Sequence, residues 1–210
     1  MQSHDETARY LKSCGSEFWQ KVFTAELDYL LQQLTPGDEI LSVGCGPAIM
    51  ESSLSSKGFL VVGLDVSREA LACAPDAIRA VAASAEEMPF PDASFDVVLY
   101  IASLQFIGNY RKALERTAQV LRLGGRMIAM LLNPASQFFR NRYDTRDSYV
   151  RKLKHTDLQA IEQSASVWLQ TEGNYFLGID GEELFPCTDP EQAALYILKG
   201  IKSQEPVGLS

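Results

Sequence analysis

The sequence predicts an α/β fold: one domain built on a mostly parallel sheet with helices on both faces. Three observations carry that prediction. Apolar runs of strand length alternate with segments of helical period through the first two thirds of the chain. One run, Phe59-Leu60-Val61-Val62-Gly63-Leu64-Asp65, is apolar at nearly every position, the pattern of a strand buried on both faces. A length of 210 residues, 46% of them hydrophobic, suits a single sizeable core.

The elements follow in order. Glu17 to Leu34 reads as an amphipathic helix, because Phe18, Val22, Leu27, Leu30, Leu31 and Leu34 recur at helical spacing and Thr35-Pro36-Gly37 stops it. A short buried strand, Glu39 to Val43, ends on Gly44-Cys45-Gly46-Pro47. A helix from about Ala48 to Lys57 is closed by Gly58, and the Phe59 to Asp65 strand comes next. Ser67 is placed to cap a helix beginning at Arg68, since its hydroxyl can accept a bond from a first-turn amide. Ile78 to Ala82 is a third strand, Ser84 to Asp92 a loop broken by Pro89 and Pro91, and Phe95 to Tyr100 a fourth strand. A helix from Tyr110 to Leu123 is expected to stop at Gly124-Gly125, with a fifth strand over Arg126 to Leu132.

Beyond Asn133-Pro134 the pattern changes. Gln137 to Lys154 is rich in Arg, Asp and Tyr; Asp157 to Gln170 reads as a helix capped by Thr156. Asn174 to Ile179 and Gln192 to Lys199 read as two late strands, with Asp180-Gly181 marking a turn. No repeat, low-complexity stretch or linker divides the chain. The expected layout is therefore one domain over 1–210: an N-terminal helical segment (1–35), a core (36–132), an insertion (133–172) and C-terminal strands (173–210).

Composition excludes several classes. A formal net charge of -8 disfavours nucleic-acid binding, which depends on Lys and Arg neutralising phosphates. Cys14, Cys45, Cys73 and Cys187 form no C-x-x-C pair, and His4 and His155 are far apart, so no metal site is expected. No apolar stretch is long enough to span a bilayer, and Met1 to Arg9 lacks a signal-peptide core. The expectation is a cytoplasmic protein with reduced thiols, a small-molecule substrate and no membrane or nucleic-acid partner.

In sheets of this kind ligands bind at the carboxyl ends of the strands, beside the first strand. Gly44-Cys45-Gly46 lies there, and glycines let a ligand approach the backbone. Such a turn is also common for purely structural reasons. Asp65, about twenty residues on at the end of the second strand, is placed to accept hydrogen bonds from a ribose diol, or alternatively to cap the helix at Arg68. Together the two features point to an adenosine-containing ligand. A dinucleotide loop wants a third glycine where this chain has Ile49, and no basic residue flanks the loop. S-adenosylmethionine (SAM), phosphate-free and cationic at sulfur, suits the loop better than NAD.

Four stretches resemble the motifs of class I SAM-dependent methyltransferases of the small-molecule subgroup: Glu39 to Met50 (EILSVGCGPAIM), Val62 to Ala70 (VGLDVSREA), Ser84 to Tyr100 (SAEEMPFPDASFDVVLY) and Leu121 to Met127 (LRLGGRM). The resemblance covers roughly residues 16 to 132. It implies a Rossmann-like, seven-stranded, mostly parallel sheet of order 3-2-1-4-5-7-6, methyl transfer from SAM with S-adenosylhomocysteine (SAH) as product, and no metal. It also implies that Gly44, Cys45, Gly46 and Pro47 lie against SAM, that Asp65 takes the ribose hydroxyls with Val66 beside the adenine, and that Ser84, Ala85 and Glu86 lie at the adenine edge. Ile101 and Ala102 would lie beneath the sulfonium, facing the acceptor. Three positions depart from the family: Ser42 and Ser84 stand where Asp is frequent, and Leu123 replaces a Pro. Tyr10 and Trp19 are candidates to close the site from the N-terminal segment, though ordinary packing serves as well for both.

Methyl transfer needs no catalytic triad, and the sequence displays none. The N-P-P-Y type of motif is absent after the fourth strand, where the chain reads Tyr100-Ile101-Ala102-Ser103. His155 and Tyr143 are candidate bases, although a lone histidine is usually structural. Among the basic residues of 139–155, Arg140 and Arg142 are candidates to bind an anionic group of the acceptor; Asp144 and Asp147 could instead pair with them on a solvated face. Two other readings stay open: a SAM- or nucleoside-binding regulatory module without turnover, and a nicotinamide-dependent oxidoreductase.

Overall fold

A computed structural model describes residues 7, 11–146 and 148–203. Helix α1 spans Glu17–Gln33, its first turn capped by Ser16, whose hydroxyl accepts from the Trp19 N–H. Phe18, Val22, Glu26 and Leu30 recur every fourth residue and form its buried stripe. One member of that stripe is an acid. The chain continues through β1 (Glu39–Val43), α2 (Ile49–Ser56), β2 (Leu60–Asp65), the single-turn α3 (Arg68–Leu71), β3 (Arg79–Ala82), β4 (Phe95–Ile101) and α4 (Tyr110–Val120). Then come β5 (Leu121–Leu132), α5 (Gln137–Asp144), α6 (Leu158–Ser166), β6 (Gln170–Asp180), β7 (Glu183–Phe185) and β8 (Ala193–Ile201).

The strands form one sheet of order β3-β2-β1-β4-β5-β8-β6-β7. β1 to β5 pair in parallel, whereas β8 inserts antiparallel between β5 and β6. This is the expected seven-stranded order with an eighth strand at one edge. The extra strand exists because Gly181, at φ +60°, turns the chain after Asp180 into a hairpin that pairs Asp180 with Glu183.

Alternation along the strands gives each face its own core. Ile40, Val97, Leu99, Ile128, Met130 and Ile197 face α1, α2 and α5; Leu41, Val98, Tyr100, Met127, Ala129 and Leu198 face α4 and α6. Burying each large apolar side chain contributes about 1.5–3 kcal/mol, so the central strands hold the molecule together.

Several boundaries differ from expectation. α4 ends at Val120 rather than running to Leu123, because buried Leu121 turns extended and pairs with Phe95 in the sheet. Gly124-Gly125 then shapes a bend inside β5: Gly124 has φ +76°, and a Cβ at Gly125 would come within 2.8 Å of the Arg122 carbonyl oxygen. α6 is capped by Asp157 rather than Thr156, its carboxylate accepting from the Ala160 N–H at 3.0 Å. A carboxylate gains more than a hydroxyl from the positive end of the helix. α6 also stops short of Gln170, where β6 begins. No helix among the described residues is long and apolar enough to cross a membrane.

Candidate active site

The carboxyl ends of β1, β2, β3 and β4 converge on the loop that follows Val43. Gly44 sits at φ +75°, and a Cβ there would fall 2.5 Å from Ser103 Cβ. Ser103 is held against it by donating its hydroxyl to the Val43 carbonyl at 2.6 Å. The protein itself therefore demands Gly44. Gly46 differs: at φ +53°, its Cβ would meet no protein atom within 4 Å. Its left-handed φ favours glycine, and the missing side chain leaves bare backbone on which a ligand could lie. Cys45 turns away from this surface, toward Gly63, where a Cβ would come 2.7 Å from its Sγ. Burial, with the Glu51 and Asp65 charges, pushes its thiol well above the ordinary cysteine range, so it is an inert packing group.

Asp65 braces this loop. Its Oδ2 accepts from the Gly46 N–H and its Oδ1 from the Ser67 N–H, each at 2.8 Å. Helix capping is left to Ser67, whose Oγ accepts from the Ala70 N–H at 3.1 Å. Each carboxylate oxygen retains a lone pair for an external donor such as a ribose hydroxyl. Beside it the Val66 side chain is 77% exposed, a flat apolar surface at the sheet edge. Across the cleft the Ser84 hydroxyl accepts from the Glu86 N–H, and the Ala85 N–H makes no hydrogen bond to the described residues. Glu86 is turned aside, its Oε1 accepting from the Asn109 N–H. Ile101 and Ala102 are half-buried at the exit of β4; Ala102, at φ +47°, donates its N–H to the Met130 carbonyl.

Behind the loop lies a pair that the motif comparison missed. Buried Ser42 donates its hydroxyl to Glu51 Oε1 at 2.5 Å, and burial pushes the Glu51 carboxyl up to about 7. Where the family resemblance leads one to expect an acid on β1, this chain has Ser42, and the acid beside it comes from α2. Glu51 stands three residues before Leu54 on the apolar side of α2, and an acid on an apolar stripe was the available signal.

On the other side of Ile101 and Ala102 is an aromatic enclosure built from distant parts of the chain. Tyr149 stacks on Phe106 and meets the edge of Trp19, at centroid distances of 6.5 and 6.2 Å. These rings and Phe23 pack against the same core as Ile101 and Ala102. The Arg142 guanidinium lies over Phe18, Trp19 and Phe138, 5.3–5.5 Å from each centroid. It bolts α5 to α1. Arg140, on the same helix, is exposed. Tyr143 is 48% exposed, stacked on Phe139 and covered by Arg151. His155 lies apart, with Nε2 3.0 and 3.1 Å from the Ile107 and Gly108 carbonyls and its ring against Tyr110. Carbonyl oxygens only accept, so Nε2 carries the proton and holds the main chain. Tyr10, His4 and Asp147 lie outside the described residues. The described residues contain no cluster of His, Cys, Asp and Glu arranged to hold a metal ion.

Comparison with known proteins agrees with this geometry. The methyltransferase-domain family model matches residues 41–129, from β1 to the middle of β5. The chain is 27% identical over 169 residues to a demethylmenaquinone methyltransferase of Corynebacterium glutamicum, covering 80% of this chain and 70% of that one. It is 26% identical over 188 residues to the demethylmenaquinone methyltransferase of Tropheryma whipplei, covering 84% and 77%. Among solved structures, a SAM-dependent methyltransferase and possible histamine N-methyltransferase from Thermotoga maritima superposes with a TM-score of 0.79 over 95% of this chain and 97% of that one, at 16% identity. A SAM-dependent methyltransferase from Archaeoglobus fulgidus does so with a TM-score of 0.69 over 87% and 94%, at 14% identity. With the strand order, the loop after β1 and the carboxylate closing β2 all in register, the chain has the fold of the class I SAM-dependent methyltransferases and is similar in sequence to their methyltransferase domain over residues 41–129.

Proposed function

We propose that the chain transfers the methyl group of SAM to a small-molecule acceptor bound between α1 and the segment after β5. One observation carries this reading. Gly44 of the loop braced by Asp65 packs on Ser103, and the residues just before that serine, Ile101 and Ala102, pack against the same core as Trp19, Phe106 and Tyr149. The residues fit SAM on their own chemistry: Gly46 exposes bare backbone, Asp65 has lone pairs to spare, Val66 offers an apolar face and the Ala85 N–H is unengaged. When bound, SAM supplies a methyl group on a positively charged sulfur that leaves readily.

The chain's own work is then positional. Asp65, itself held by the Gly46 N–H, fixes the cofactor side, while Ile101 and Ala102 set the depth at which an acceptor meets it. The rings of α1 and of 106–149 hold that acceptor in line and keep water out. Alignment of this kind can supply up to about 7–11 kcal/mol of the acceleration. The relatives differ in the acceptors their names give, demethylmenaquinone in two and possibly histamine in another. What those acceptors share is that they are small molecules, and that class alone is carried to this chain.

Titration calorimetry with SAM, SAH and NAD tests the reading. SAM and SAH should bind and NAD should not. Binding of NAD in their place would overturn it, and binding of SAM without methyl turnover on any of a broad set of metabolites would favour a regulatory module.

A further inference from the structure

The acceptor side holds polar atoms that the fold does not satisfy. Glu26 lies on the buried stripe of α1, one turn from Val22 and one from Leu30; it is only 5% exposed, and its Oε2 has no hydrogen-bond partner. Ser148 Oγ, adjacent in the chain to Tyr149, is buried and equally unpartnered. The Tyr149 hydroxyl makes no hydrogen bond to the described residues; burial raises its pKa and the Glu26 charge adds to that, so the two side chains lie within electrostatic reach. A leucine at position 26 would complete the stripe at lower cost, because a buried polar group without a partner is unfavourable.

We infer that Glu26, together with Tyr149, is the polar anchor of the acceptor site, and that the acceptor carries a protonatable amine on a small apolar body. The inference rests on the methyltransferase reading above and names its substrate class. A carboxyl with no donor of its own is complemented by an N–H donor bearing positive charge. An aromatic surrounding favours a cation over an anion, as the Arg142 guanidinium over Trp19 already shows. Burial alone governs Glu26, with no basic side chain acting on it; Arg142 acts on Tyr149 from α5 and is engaged by its three rings. An anionic acceptor would meet this carboxyl with no countercharge between them.

The charge state of Glu26 gives a readout independent of turnover. Burial pushes its carboxyl up to about 8, so at pH 7 it is mostly protonated until a cation arrives beside it. Calorimetry on the SAH-loaded protein, in two buffers of different ionisation heat, should show benzylamine or phenethylamine binding at least tenfold tighter than 2-phenylethanol or 3-phenylpropionate. Close to one proton should be released per amine bound. Glu26→Gln should abolish both the preference and the proton release while SAH affinity, which reports the folded cradle, stays within twofold. Tyr149→Phe should weaken amine binding severalfold and keep the proton release. Amines binding no better than the alcohol or the carboxylate, or binding the Gln variant unchanged, would overturn the inference while the methyltransferase reading stands. Wild-type protein that does not bind SAH would overturn both.

Discussion

The two halves of the site are built in opposite ways. On the cofactor side the protein satisfies its own polar groups: Asp65 ties Gly46 to Ser67, Ser103 ties β4 to Val43, and Ser42 answers Glu51. On the acceptor side, rings gather from α1, the turn after β4 and the segment after α5, and Glu26 Oε2 of α1 and Ser148 Oγ, next to Tyr149 in the chain, are buried without partners among the described residues. A surface complete before its ligand arrives is preorganised for a constant ligand. A surface that leaves orphan groups is tuned to one particular ligand, because only that ligand removes their penalty. The cofactor half thus reads as generic and the acceptor half as specific.

The variant that most severely tests the first half is Asp65→Ala. It removes two charge-assisted backbone bonds together with the proposed ribose contacts, so SAH affinity should fall about 1,000-fold, roughly 4 kcal/mol. Calorimetry checks this, and a loss under tenfold would mean that the cradle is not built on Asp65.

Glu26→Gln probes the second half through stability. The folded carboxyl titrates at about 8, above its ordinary value of 4.5. Below pH 4.5 the acid is neutral in both states and costs nothing extra. As pH rises toward 8 the unfolded chain releases the proton while the folded one keeps it, so the wild type loses stability across that window and Gln does not. The Gln variant's advantage should grow by on the order of 3 kcal/mol between pH 4.5 and 8.5. Denaturant melts at the two pH values read it directly, and parallel pH profiles would show that the orphan acid is paired after all.

This contrast also explains what the sequence disclosed. The cofactor half is local: a strand, its glycines and the acid closing the next strand are read from spacing alone, and the sheet order followed from recognising them. The acceptor half joins Trp19, Glu26, Phe106, Arg142 and Tyr149, residues up to 130 positions apart, and no single-chain period brings them together. One signal was available. Glu26 and Glu51 each interrupt an apolar helical stripe, and both proved to be buried acids with raised pKa values. The misplaced end of α4 has a different cause: Gly124-Gly125 was read by its local habit of ending helices, whereas burial of Leu121 in the sheet decided the boundary.

Two glycines sharpen the comparison within the cofactor half. Gly44→Ala forces a Cβ to 2.5 Å from Ser103 Cβ at φ +75° and should cost about 2 kcal/mol of stability. Gly46→Ala meets no protein atom within 4 Å and should cost only about 1 kcal/mol, yet lower SAH affinity more than tenfold. Thermal melts paired with SAH titrations separate the two roles. Equal affinity losses for equal stability losses would make both glycines structural.

The smallest effect belongs to the arginines of α5, and it decides between two uses of them. If they bind an anionic group, Arg140→Ala and Arg142→Ala should each raise acceptor KM. The geometry favours a clamp: three rings cover Arg142 while Arg140 faces solvent. Cation–π contacts of this kind contribute about 0.5–2 kcal/mol, and here they fix the distance between α1 and α5. Arg142→Ala should therefore raise KM about threefold to tenfold with SAH affinity intact, and Arg140→Ala should leave both constants in place. A matching rise in the Arg140 variant would transfer the role from clamp to anion binder, and would count against a cationic acceptor at Glu26.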